Sequence, residues 1–292
     1  MKKLRVATCQ FSVEAEIDQN RQAVLAQMRE AAEQGADVAH FSECALSGYA
    51  GVDRPDANSI DWTELQGATH EIMAEAKRLR LWVLLGSTHF IAPDIKPHNS
   101  VYVIDSRGKI VNRYDKRFCT GKDGKQPTHD LVHYTPGDRY CTFQIKGLTC
   151  GVAICYDYRF PELARGYKQL GVQVLFYSFH NARAGIVDHK GYNIWKEIVP
   201  ATMQCRAAEN HFWISANNST ARPSFWPSFA VRPDGHITGR LKLHRPGVLI
   251  TEMLLDPAIF DAPARWRESA MCGVLHSGQL VRHPRSECVT EL

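Results

Sequence analysis

Thr149-Cys150-Gly151-Val152-Ala153-Ile154-Cys155-Tyr156-Asp157-Tyr158-Arg159-Phe160-Pro161-Glu162 is the stretch on which the reading of this chain turns. An apolar run ends at Cys155, and Pro161 is suited to the first turn of a helix. The segment therefore reads as a strand running into a helix, with a thiol at the junction. Backbone N–H groups at such a junction can lower a thiol's pKa and offer donors to an oxyanion. Taken alone, a cysteine at a strand end is most often a buried structural residue.

The flanks repeat the alternation. Leu4 to Cys9, Val38 to Phe41 and Leu81 to Ser87 read as strands. Between them lie a helix with Val24, Met28 and Ala31 on one face, for which Asp18 is a candidate cap and Gly35 a stop, and a second over about Trp62 to Arg80. Ser100 to Asp105 with Lys109 to Tyr114, and Thr142 to Lys146 with Leu148 to Ile154, read as hairpins. A helix over Pro161 to Leu170, a strand over Val172 to Ser178, a long helix from about Asn193 to Asn210 and a strand over Phe212 to Ala216 follow. Ser228 to Arg232 and His236 to Leu241 turn at Pro233-Asp234-Gly235, and Val248 to Met253 closes the series. This is an α/β pattern with mixed sheets covered by helices. The expected organisation is one domain over 1–255 and a tail over 256–292, packed on the domain or on a partner subunit.

Composition narrows the function. With 292 residues, 44% hydrophobic, 23% charged and a net charge of +4, the chain reads as globular, and its basic residues are too scattered for a nucleic-acid groove. No apolar run reaches the roughly 20 residues of a membrane helix. Nine cysteines without paired spacing argue against zinc ribbons. Met1 to Gln10 lacks an apolar stretch of signal-peptide type, so the expectation is a cytoplasmic protein with reduced thiols.

Two further strand ends carry chemistry. Glu43 follows the apolar Val38 to Phe41 run, and Lys116 follows the second strand of a hairpin. Taken alone, Lys116 reads as a solvated lysine and Glu43 as a helix-capping or ion-paired carboxylate. Three such residues at strand ends could converge on one edge of a sheet. Cys150 and Cys155, five apart on one strand, point to opposite faces, which disfavours a redox or metal pair.

These segments together resemble the nitrilase superfamily, the carbon–nitrogen hydrolases, over about residues 1 to 255. The matching motifs are Phe41-Ser42-Glu43 with Ser47-Gly48-Tyr49, Tyr114-Asp115-Lys116, Gly151 through Ala164, and Cys205-Arg206-Ala207-Ala208-Glu209-Asn210. The resemblance implies a four-layer α-β-β-α sandwich, a homodimer or larger even oligomer, and no metal or organic cofactor. It implies Glu43 as the base, Cys155 as the nucleophile, and Lys116 with the Tyr156 N–H as oxyanion donors. The implied reaction cleaves the C–N bond of a small amide substrate through a thioester. Cys155-Tyr156-Asp157 resembles the amidase and ω-amidase-like branches, whereas nitrilases usually carry Cys-Trp-Glu.

The departures lie around the expected pocket. Asp130 stands six residues before Pro136-Gly137, where relatives carry a second glutamate; its shorter carboxylate is expected to position Lys116 or substrate, with water or His129 filling the gap, or to serve only as a turn residue. Ser42 replaces a proline and is expected to loosen the backbone. Tyr177-Ser178-Phe179-His180-Asn181 replaces a more apolar run, making Phe179, His180 and Asn181, with Tyr49 and His129, candidate substrate contacts. Arg183 and Arg222 are candidate carboxylate binders. An N-carbamoyl amino acid hydrolase is the alternative reaction, and a catalytically silent metabolite- or partner-binding scaffold the alternative of another class.

Overall fold

The computed structural model describes residues 2–121, 128–182 and 194–290. Two six-stranded mixed sheets form the centre of an α-β-β-α sandwich. The first has the order β12 (Gly247–Leu254), β1 (Lys3–Gln10), β2 (Val38–His40), β3 (Trp82–His89), β4 (His98–Ile104), β5 (Ile110–Asp115). The second runs β11 (Ile237–Arg240), β10 (Phe229–Val231), β9 (Trp213–Asn217), β8 (Val174–Ser178), β7 (Leu148–Ile154), β6 (Thr142–Ile145). In each, three central strands are parallel and the outer ones antiparallel.

Strand periodicity builds the layers. In β1, Leu4 and Val6 enter the core between the sheets, while Ala7 and Cys9 enter the core beneath the helices. In β3, Leu84 faces the first core and Val83 and Leu85 the second. Both faces are buried, which is why these strands read as continuous apolar runs. Helices α1 (Ile17–Glu33) and α2 (Trp62–Leu79) cover the first sheet, and α4 (Pro161–Gln169) and α5 (Trp195–Asn210) the second. A polar seam crosses between the sheets: His40 bridges Ser215 and Ser178 at 2.8 and 3.0 Å, and Thr8 meets Ser215 at 2.8 Å. Burial pushes the His40 imidazole down to about 3, so it works there as a neutral bridge.

Asp18 is not the cap of α1. The helix begins two residues earlier than such a cap would place it, with Glu16 at the cap position, and Asp18 sits in the first turn bonded to Arg21 and Gln22. Asp61 does cap α2, accepting from Thr63 N and Glu64 N at 2.9 and 3.0 Å. The short helix α3 (Asp130–His133) and a 3-10 turn over Cys155–Arg159 go beyond the pattern read from sequence. The start of the long helix at Asn193, like Arg183, lies outside the described residues. The chain divides into two units, 1–260 and 261–292; the second contains α6 (Ala264–Met271) and α7 (Pro284–Glu287). Among the described residues no helix is long and apolar enough to cross a membrane.

Candidate active site

Four strand ends converge. Glu43 follows β2, Lys116 follows β5, Cys155 follows β7 and His180 follows β8. Glu43 is fully buried. Its Oε1 accepts from Lys116 Nζ at 2.7 Å and from Asn99 Nδ2 at 2.7 Å, and its Oε2 accepts from the His180 N–H at 3.0 Å. Its own N–H donates to the Phe179 carbonyl at 3.2 Å. A carboxylate with this many donors is fixed in orientation.

Lys116 is 1% exposed and lies between two carboxylates, with Asp130 Oδ2 2.8 Å from Nζ. Burial disfavours its ammonium, but Asp130 and then Glu43 overcome this and hold its pKa well above the ordinary lysine value. Asp130 behaves in the same way: burial opposes its charge, Lys116 overrides that, and the pKa lies below the usual carboxylate value. Thr120 N donates to Asp130 Oδ2 at 2.8 Å, and the Tyr49 hydroxyl donates to Oδ1. Asp130 is thus an ion-pair partner of Lys116 at the start of α3, and the Tyr49 phenol fixes the orientation of its carboxylate.

Cys155 sits on a sharp turn with φ of +40°, a left-handed conformation that costs energy in a side-chain-bearing residue. The half-buried thiol has a pKa well above the ordinary value, first because of burial and then because of the Glu43 charge; Lys116 and the His180 N–H pull the other way without prevailing. This corrects the expectation of a lowered thiol pKa from the strand-to-helix position. The proton stays on sulfur at rest. Tyr156 follows in the same turn, its ring packed edge-on against Phe160 at 5.7 Å.

Ser42 does not loosen its segment. The backbone there packs so closely on Gly86 of β3 that a Cβ on that glycine would lie 1.9 Å from the Ser42 carbonyl oxygen. Leu46 N also donates to Gly86 O at 2.9 Å, so the segment is clamped to the strand.

The structure brings Glu43, Lys116, Cys155, Asp130, Tyr49, Phe179 and His180 together. His180 is buried, with Nε2 2.9 Å from Asp53 Oδ2. His129 precedes α3 and packs on Gly121, without a hydrogen bond to Lys116 or Glu43. Asn181 is tied through its N–H to Asn218 Oδ1 at 2.8 Å. Arg222 is exposed, and Trp226 is buried against Phe179 with ring centroids 4.7 Å apart, so it serves as core there.

Three residues went unassigned in the sequence. Asn99 shares Glu43 Oε1 with Lys116, and its carbonyl accepts from Lys116 N at 2.8 Å; it stands between His98 and Ser100 at the polar start of β4, where nothing local marked it. Asp53 stands behind His180. Asp157 accepts at Oδ2 from Tyr114 hydroxyl at 2.7 Å and Ile154 N at 3.0 Å, and at Oδ1 from Phe118 N at 2.9 Å. It ties the lysine segment to the residue before Cys155. Among the described residues, no group of three or more His, Cys, Asp or Glu is arranged to hold a metal ion.

Comparison with known proteins fits this fold. The ω-amidase NIT2 of Mus musculus is 29% identical over 61% of this chain and 63% of its own length. The chain thus spans less than two thirds of the length of that curated relative. N-carbamoylputrescine amidase of Arabidopsis thaliana is 26% identical over 86% of each chain. An amidase from Nesterenkonia sp. AN1, solved in complex with butyramide, shares the fold at a TM-score of 0.74, with 19% identity over 91% of this chain and 93% of that one. A mutant of that amidase carries covalent addition of the acetamide moiety of fluoroacetamide at its active site cysteine, at a TM-score of 0.73 and 20% identity over 86% of this chain and 90% of its own. The family model for carbon–nitrogen hydrolases matches residues 5–258, and the chain belongs to that family.

Proposed function

We propose that this chain hydrolyses the C–N bond of a small carboxamide, with Cys155 as nucleophile, Glu43 as base and Lys116 as oxyanion donor. The observation that carries the reading is Lys116 Nζ held between Glu43 at 2.7 Å and Asp130 at 2.8 Å, at the strand end beside that of Cys155. An ammonium has three donors, and these two contacts leave one for a developing oxyanion.

As the amide carbonyl carbon approaches, the thiol proton passes to Glu43 and the sulfur attacks the carbon. The oxyanion forms against Lys116 Nζ and the Tyr156 N–H. Collapse breaks the C–N bond, the Glu43 proton leaves with ammonia, and a thioester remains on Cys155. Water then gives a proton to Glu43 and attacks the thioester. The carboxylic acid departs and the proton returns to sulfur.

Incubation with an amide panel, followed by intact-mass analysis, tests this directly. An acyl adduct on Cys155 is expected, together with ammonia release, and Cys155→Ala should abolish both while retaining the wild-type melting temperature. Full turnover in that variant would end the nucleophile assignment.

An N-carbamoyl amine hydrolase is the second reading. Its support is the Arabidopsis N-carbamoylputrescine amidase match, which extends over 86% of this chain against 61% for the mouse ω-amidase. The same residues would serve, and carbon dioxide would accompany ammonia. Ammonia from carboxamides, with neither ammonia nor carbon dioxide from carbamoylated substrates, refutes it.

A further inference from the structure

We infer that Asp53 and His180 are positioning residues that lock the base Glu43 to the Tyr49 loop, closing a polar ring around the reacting thiol. The inference rests on the proposed role of Glu43, and it adds two residues that touch neither the nucleophile's carbon target nor its leaving group.

The ring can be followed atom by atom. Asp53 Oδ2 accepts from the Tyr49 N–H at 2.9 Å and lies 2.9 Å from His180 Nε2. His180 donates its own N–H to Glu43 Oε2 at 3.0 Å. Glu43 Oε1 holds Lys116, Lys116 holds Asp130, and Asp130 takes the Tyr49 hydroxyl, returning to the loop that carries Asp53. The Asp53 and His180 side chains are both 0% exposed. Neither ring nitrogen of His180 makes a hydrogen bond among the described residues, so the 2.9 Å approach of Nε2 to Asp53 Oδ2 is a close polar contact rather than a hydrogen bond, and it is the polar contact described for this imidazole. The ring edge packs on the Tyr49 face, with centroids 5.5 Å apart and planes at 86°.

This explains why a histidine follows an apolar strand end. Phe179 there contributes its carbonyl to Glu43 N, and the next residue contributes its N–H to Glu43 Oε2. Both backbone contacts depend on the chain leaving β8 in one direction. A side chain anchored to a buried carboxylate fixes that direction, whereas an apolar side chain of similar size would fill the space without fixing it. The same His180 N–H also favours the ionised form of Cys155. Misplacing it should therefore slow both proton transfer to Glu43 and reactions of the sulfur.

The test measures alkylation of Cys155 by iodoacetamide at pH 7.5, read by peptide mass. It is paired with turnover of whichever amide the wild type hydrolyses, and the melting temperature is followed throughout. His180→Phe should slow alkylation about tenfold and lower kcat by about ten- to a hundredfold with KM within about threefold. His180→Gln, which places an amide N–H near Asp53, should recover most of both losses. Asp53→Asn should reproduce the loss, and the double variant Asp53→Asn/His180→Phe should be no worse than about threefold below the slower single, because one link is being removed twice. Unchanged alkylation in His180→Phe, equal losses in His180→Phe and His180→Gln, or multiplied losses in the double variant would each overturn the inference. If the wild type hydrolyses no amide yet the alkylation pattern holds, the proposed reaction fails and the positioning ring stands.

Discussion

Replacing Asp157 with Asn should leave neutral-pH stability nearly unchanged while lowering turnover, because two opposing effects of similar size act at one carboxyl. Burial pushes the Asp157 pKa up to about 6, against the pull of its hydrogen bonds from Ile154, Phe118 and Tyr114. An acid whose folded pKa lies above its unfolded value of 3.8 contributes stability that is fully present below pH 3.8 and is lost as pH rises through the folded pKa. The window is therefore about pH 4 to 6. A window of about two pH units, at about 1.4 kcal/mol each, puts the cost of the buried charge at about 3 kcal/mol by pH 7. Asparagine removes that cost. It can also keep the Tyr114 and Ile154 bonds if its oxygen takes the Oδ2 place. Its amide nitrogen then faces the Phe118 N–H, donor against donor, at a cost of about 1–3 kcal/mol.

The two effects nearly cancel at pH 7. At pH 4.5, less than one unit above the unfolded value, only about 1 kcal/mol of that cost is present in the wild type, so the second effect outweighs it and the variant should be less stable by up to about 2 kcal/mol. Urea unfolding of both proteins at the two pH values reads the difference directly, with common acid effects subtracted out. Turnover should fall about tenfold at pH 7, since the released Phe118 lies two residues after Lys116. A variant equally destabilised at both pH values would refute the buried raised-pKa carboxylate. Unchanged turnover would refute the clamp between the lysine segment and Cys155.

Two other substitutions probe the same framework. Lys116→Met leaves Glu43 and Asp130 buried without their shared cation, so urea unfolding at pH 7 should show a loss of about 3–5 kcal/mol, and no acyl adduct should accumulate on Cys155. Gly86→Ala drives a Cβ into the Ser42 carbonyl; calorimetry should show a loss of at least about 2 kcal/mol, and turnover should fall because the displaced segment carries Glu43.

The strands and the longer helices of residues 1–254 were legible because buried β-structure and amphipathic helices leave a local period in the chain. Val24, Met28 and Ala31 mark one helix face, and the continuous runs in β1 and β3 mark strands buried on both sides. Glu43, Lys116 and Cys155 were legible for the related reason that strand ends are local features. The partners that orient them were not, because each contact joins distant segments. Asn99 reaches Glu43 across 56 residues, Tyr114 reaches Asp157 across 43, and His180 reaches Glu43 across 137. No local pattern distinguishes an aspartate that will accept three bonds from one that will face water. The direction of the Cys155 pKa misled for the same reason. The turn suggested helix-like stabilisation of a thiolate, but burial and a carboxylate contributed by the opposite sheet outweigh it.

That raised pKa bears on how the proposed reaction works. Glu43, Asp130 and Lys116 together carry a single buried negative charge. A thiolate formed by losing its proton to bulk water would add a second, and burial with Glu43 nearby opposes it. Transfer of the proton to Glu43 adds none. The negative charge moves from carboxylate to sulfur, and on attack from sulfur to the substrate oxygen. Lys116 is within reach at the start and at the end, and Asp130 keeps it charged throughout. A site arranged this way keeps the resting thiol protonated and lets Glu43 take its proton as the sulfur attacks, so that the charge ends on the substrate oxygen. The glutamate therefore has to be oriented before substrate arrives. Asn99, the His180 N–H and the Lys116 ammonium all converge on its two oxygens to do so.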